Sequence, residues 1–102
     1  MTLYIDEIQE YPIEMIAPAA RKYGRKWAHL WADDLEELHA FAIGELHLSR
    51  AWFQSRASLP HYDLTPNKAA DALLKGYERI EQISIHEWFQ RQRRSECDAD
   101  RI

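Results

Sequence analysis

The chain has 102 residues, 46% of them hydrophobic and 29% charged, which is the composition of one ordinary globular domain and leaves no room for a second. A net charge of -4 argues against a nucleic-acid backbone footprint, which needs a clear basic excess on its binding face. The single cysteine, Cys97, excludes an internal disulfide and a four-cysteine zinc cage. It fits a reducing cytosol.

The opening "MTLYIDEIQE" carries acids where a secretory leader would carry a basic start, and no stretch approaches the roughly eighteen apolar residues of a membrane span. A cytoplasmic protein without membrane contact is expected. "TLYI" at 2–5 alternates large apolar side chains and then meets Asp6, the pattern of a short strand with an acid at its end. The next stretch is broken by Pro12 and Pro18, although Pro18 suits a first helical position and Gly24 a terminating one, so "PAARKY" reads as one or two helical turns.

"KWAHLWA" at 26–32 places Trp27, His29 and Trp31 on one side of a period-two pattern and Ala28, Leu30 and Ala32 on the other, as a strand covered on both faces does. "DDLEELHAFAIGEL" opens with Asp33 three residues before Glu36, a capping-box spacing, and carries Leu35, Leu38, Ala42 and Leu46 as an apolar stripe. "RAWFQ" at 50–54 reads as another buried strand, followed by a loop from Ser55 to Leu64. Thr65 and Pro66 supply an N-cap hydroxyl and a first-turn proline for the helix "PNKAADALLK", which stops at Gly76. "YERIEQI" gives a last short strand, and Ser84 with Glu87 caps a helix starting "IHEWFQ", with a polar tail from about residue 96.

This order predicts a small single-domain α/β fold, a mostly parallel sheet of about four strands flanked by helices. Ligands of parallel sheets bind outside the carboxyl ends of the strands, where Asp6, Asp33 and the "HYD" loop would converge. The strings "LYID", "YGR", "HLWADDLEELHAFA", "WFQ" and "PHYDLT", with Lys68 and Gly76, resemble a small bacterial and phage family known as domain of unknown function 4031. The resemblance implies one compact α/β domain and brings no activity with it. One departure is specific: where the family pattern has Leu-Gly-Leu after the first long helix, this chain has Leu46, His47 and Leu48, and histidine is strained in the left-handed turn that glycine makes freely.

Candidate chemistry centres on His61 and Asp63, two apart, as a general acid or base and its orienting carboxylate. Lys68 at a helix start and Arg25 suit an anion, Tyr62 a stacked ligand, and Asp6 and His29 complete the proposed ligand-binding set. The plainer alternatives are a loop pinned by Asp63 and Thr65, a solvated Lys68, and a packed core His29. His39 beside its helix stripe reads the same way. No recognised metal or cofactor motif occurs, so neither is assigned, although His61, Asp63 and His29 or His39 have the chemistry of a mixed nitrogen and oxygen site. The aromatic content, 12%, is expected to be core, and Arg91, Arg93 and Arg94 a solvated face. The leading expectation is an anionic or phosphate-bearing small molecule bound at the carboxyl edge. The rivals are a small hydrolase or nuclease-like enzyme using His61 and Asp63, and an accessory protein acting through a second copy or another protein, for which Trp88 and Phe89 offer a docking face.

Overall fold

A computed structural model describes the backbone of residues 2–55 and 58–100 and the side chains up to residue 94, so Cys97 and the tail side chains lie outside the described set. The sheet corrects the parallel expectation. Among the described residues it has six strands: β1 (Leu3–Ile5), β2 (Gln9–Glu10), β3 (Lys26–Ala32), β4 (Phe53–Gln54), β5 (His61–Leu64) and β6 (Ile80–Gln82). Its path is β4-β5-β3-β1-β6 with β2 also on β3, and every pairing but β1 with β6 is antiparallel. The physical reason lies in the connections. A parallel neighbour needs a crossover of a dozen or more residues, usually through a helix. The stretch from Glu7 to Gly24 makes only β2 and two short 3-10 turns, Ile13–Met15 and Pro18–Tyr23, so the chain returns antiparallel in β3. The long crossover is β5 to β6 through the helix at Pro66–Lys75, spanning β3 and β1.

Helix α1 (Leu35–His39) continues as a wider π turn over Ala40–Glu45, closed by Leu46 N–H donating to the Phe41 carbonyl. Its cap is Asp34, which accepts from Glu36 N–H at 3.1 Å, and not Asp33, whose carboxylate instead accepts from the Tyr4 hydroxyl at 3.0 Å. Leu38, Phe41, Ala42 and Leu46 are buried while Leu35 is exposed. Helix α2 (Pro66–Lys75) runs from the Thr65 cap to Gly76, and α3 (Ile85–Asp100) starts with the Ser84 hydroxyl accepting from Glu87 N–H. The "RAWFQ" strand shortens to two residues because Arg50–Trp52 coils into a 3-10 turn, capped by Ser49. His47 takes the left-handed conformation at φ 57°, where glycine would sit without strain.

Period-two alternation divides the core between the two faces of the sheet. Leu3, Ile5, Ala28, Leu30, Tyr62 and Leu64 meet α1, the π turn and α2 on one face. On the other, Tyr4, Trp31, Leu59 and Ile83 form a second cluster with Ile85, Trp88 and Phe89 of α3. Trp88 and Phe89 thus pack within their own chain. No helix among the described residues is long and apolar enough to cross a membrane.

Candidate functional site

The centre of β3 holds His29, and the sheet register assembles everything around it. Asp63 of β5 is its direct cross-strand neighbour, and His61, two residues earlier on the same strand, shares that face. On the opposite flank, three residues of the first strand segment, Asp6 to Ile8, face two of β3 between the pairs Ile5 with Leu30 and Gln9 with Trp27. That extra residue is a bulge, a device that commonly re-aims a side chain beside a functional site. Here the Asp6 carboxylate replaces a ladder carbonyl: one oxygen accepts from His29 N–H at 2.6 Å and the other from His29 Nδ1 at 2.7 Å.

Both imidazoles are oriented through Nδ1. The His61 Nδ1 donates to the Leu59 carbonyl at 2.6 Å, and because a carbonyl has no proton to give, the direction of that bond is fixed. With both Nδ1 atoms committed, the two Nε2 atoms carry lone pairs in the neutral rings. They face the same Asp63 oxygen, at 3.6 Å from His29 and 3.3 Å from His61. The rings stand edge to face with centroids 4.8 Å apart, and side-chain exposure is only 18% for His29, 13% for His61, 28% for Asp63 and 6% for Asp6. Three acceptors converging in a half-buried corner repel one another unless a proton or a cation lies between them. Burial pushes the His61 imidazole toward neutrality, but the hydrogen bond to Asp63, the Leu59 carbonyl and the charges of Asp63 and Asp6 outweigh it, and its pKa rises. Tyr11 stands edge-on to His29, and its phenol is held protonated by burial and then by the charges of Asp6 and Asp63.

The three potential ligand atoms of His29, His61 and Asp63 all lie within 4.8 Å of one another. Ligands about 2.1 Å from a tetrahedral ion are separated by roughly 3.4 Å, so the two contacts to Asp63 already match and the two imidazoles need only a small approach. A carboxylate on one imidazole and a carbonyl on the other are the outer partners that metal-bound histidines usually have.

Two clefts meet at His29 and Tyr11. One, of about 590 Å³, runs over Trp27 and Trp52 beneath the Pro18–Tyr23 turn and reaches Asp63. The other, of about 550 Å³, lies against Asp6, Glu7 and the first turn of α3.

The remaining sequence candidates fall elsewhere. Tyr62 is fully buried on the opposite face, its hydroxyl 2.8 Å from His39 Nδ1, so it cannot stack on a ligand beside His61. Lys68 donates from Nζ to the Leu46 carbonyl at 2.6 Å, and Lys75 to that of Glu45 at 2.7 Å; the two ammonium groups cap the carbonyls freed where the π turn ends. Arg25 donates from Nε to the Tyr11 carbonyl at 3.0 Å in an exposed position. The cluster sits on a sheet face in the middle of antiparallel strands, which have no common carboxyl edge, so the rim expected from the sequence does not exist. Sequence reasoning missed Tyr11, Gln54 and the Leu59 carbonyl. The available signal was the alternation of "HYDL" itself, which as a strand sends His61 and Asp63 one way and Tyr62 and Leu64 the other.

No curated protein and no solved structure matches the chain. The family model that does match spans residues 14–95, a stretch that contains His29, His61 and Asp63, and the chain belongs to the family it describes, Protein of unknown function (DUF4031).

Proposed function

We propose that this domain is a metal-dependent hydrolase in which the Nε2 atoms of His29 and His61 and the carboxylate of Asp63 hold one divalent first-row transition ion, with Asp6 orienting His29. The observation that carries the reading is the commitment of both Nδ1 atoms, to Asp6 and to Leu59, which turns both Nε2 lone pairs on the Asp63 oxygen. Two imidazoles select zinc, manganese or iron over magnesium and calcium, which prefer all-oxygen sets. Three protein ligands would leave room for water, and the ion would supply the acidity that makes water a nucleophile near neutral pH. His29 and Asp63 line the larger cleft, so a substrate entering it would reach the residues that would hold the ion. Lys68 and Arg25 do not support the anion site expected from the sequence, because each is tied to a backbone carbonyl, that of Leu46 and that of Tyr11.

The test is titration of the EDTA-treated protein with zinc and manganese by calorimetry. One ion per chain is expected, with binding lost in His61→Ala and in Asp63→Ala and retained in Lys68→Ala. A wild-type protein that takes up neither ion, or an Asp63→Ala variant that binds as well as wild type, overturns the reading. A metal-free alternative keeps the same residues: the upward pKa of His61 suits a general acid beside Asp63. Turnover that persists undiminished in EDTA would favour it.

A further inference from the structure

We infer that the larger cleft recognises a flat heteroaromatic ring and that the substrate class is a ring-bearing phosphate monoester of the nucleoside monophosphate kind, its ring in the cleft and its phosphate at the ion. The inference rests on the metal reading for the phosphate half alone.

The cleft's volume of about 590 Å³ lies within the range of small-molecule sites, and its walls combine four aromatic side chains with small aliphatic ones. Trp52, in the Arg50–Trp52 turn, backs onto the buried Trp27 of β3 with centroids 5.9 Å apart and planes tilted by 33°, and Tyr23 of the overlying turn meets Trp52 edge-on at 5.2 Å, so Trp52 and Tyr23 supply the open aromatic surface. Such surfaces favour a planar π system over a branched aliphatic chain, because every base has a face that stacks. Tyr23 is 46% exposed and so keeps free ring surface at the mouth.

Polar groups in the cleft are few and differ in kind. Gln54 lines it directly across the ladder from His61 and offers both a donor and an acceptor, the pair that reads a heteroaromatic edge. Lys22, also in the lining, carries its ammonium 5.2 Å from the Tyr23 ring centre. His29 and Asp63 close the inner end. Without an ion the carboxylates of Asp6 and Asp63 repel an anion there. With the ion bound, the same end becomes attractive to a phosphate dianion, and Lys22 adds a second positive charge. In the hydrolytic step the oxygen of water bonds to phosphorus as the ester P–O bond breaks. The departing alkoxide takes the proton that water gives up, leaving a free nucleoside and inorganic phosphate.

The experiment uses three probes, adenosine, adenosine monophosphate and glycerol 1-phosphate, on the metal-free and the zinc-loaded protein, followed by saturation-transfer NMR and by calorimetry. Adenosine is expected to receive transfer at its ring protons in both forms, the monophosphate to bind tightly only in the zinc form, and glycerol 1-phosphate to bind at least roughly ten-fold more weakly than the monophosphate. Tyr23→Ala and Gln54→Ala, both outside the metal cluster, are expected to weaken the monophosphate roughly ten-fold while zinc affinity stays unchanged. Normal zinc uptake with no transfer to either ring, or glycerol 1-phosphate binding as tightly as the monophosphate, overturns the inference and leaves the metal reading standing. Adenosine transfer without any zinc uptake does the reverse: it supports the ring slot and removes the metal.

Discussion

Both faces of the sheet carry a half-buried histidine against an aromatic layer, and the two environments push the imidazoles in opposite directions. His39 stands between Tyr62 and Phe53, with its Nδ1 on a phenol and no carboxylate bonded to it among the described residues, and burial followed by the nearby Arg50 charge lowers its pKa. His61 stands beside Asp63 with Asp6 close by, and its pKa is raised against the same penalty of burial. One face therefore uses a histidine as a neutral polar plug in a packed core. The other gathers two imidazoles around two carboxylates that, among the described residues, are ion-paired only with those rings.

The largest effects should fall on the second face. Replacing His29 with Ala removes a ligand, and zinc binding in calorimetry is expected to disappear, whereas His39→Gln should leave it intact; loss of zinc in both variants would erase the distinction between the faces. Next, Asp6→Asn keeps the shape but withdraws the charge that orients His29. Zinc affinity is expected to fall roughly ten- to a hundred-fold, the usual cost of removing an outer-shell carboxylate. On the packed face, Tyr62→Phe leaves the half-buried His39 Nδ1 without its partner, and chemical denaturation should register a loss of about 1 kcal/mol with no change in zinc affinity.

Smaller, but opposite in sign on the two faces, is the dependence of metal-free stability on pH. The raised His61 value means that its contribution is complete below its ordinary value of 6.5 and is lost as pH rises through the higher folded value. The lowered His39 value means that its neutral pairing is fully favourable above 6.5 and loses ground as pH falls toward the lower folded value. Denaturant melts of His61→Gln and His39→Gln over about pH 5 to 8 should flatten opposite ends of the wild-type profile. Last, His47→Gly relieves the left-handed strain at the end of the π turn and should raise stability by about 1 kcal/mol in the same melts.

Local signals in the sequence were good guides wherever one or two residues decide the outcome. Thr65 with Pro66, Gly76, and Ser84 ahead of Glu87 mark helix ends through short-range hydrogen bonds, and α2 and α3 begin where these signals stand. The direction of the strands was not legible, because it depends on whether Glu7 to Gly24 folds as a crossover helix or as short turns, and two prolines in an irregular segment do not decide that. Asp6, His29, His61 and Asp63 could each be picked out as chemically capable residues. Their shared location depends on β3 pairing with β1 on one side and β5 on the other, and no spacing within one strand encodes that register. Tyr62 illustrates the same limit: with "HYD" taken as a loop there is no ground for sending alternate residues to opposite faces.

The bulge beside Asp6 joins assembly to reactivity in a single carboxylate, since one of its oxygens fixes the His29 backbone and the other fixes the His29 ring. When β1 zips onto β3 during folding, that event also decides which nitrogen of the His29 ring is left free, Nε2. A slip of one residue along this ladder would therefore leave the His29 ring unoriented without altering a single side chain of the cluster.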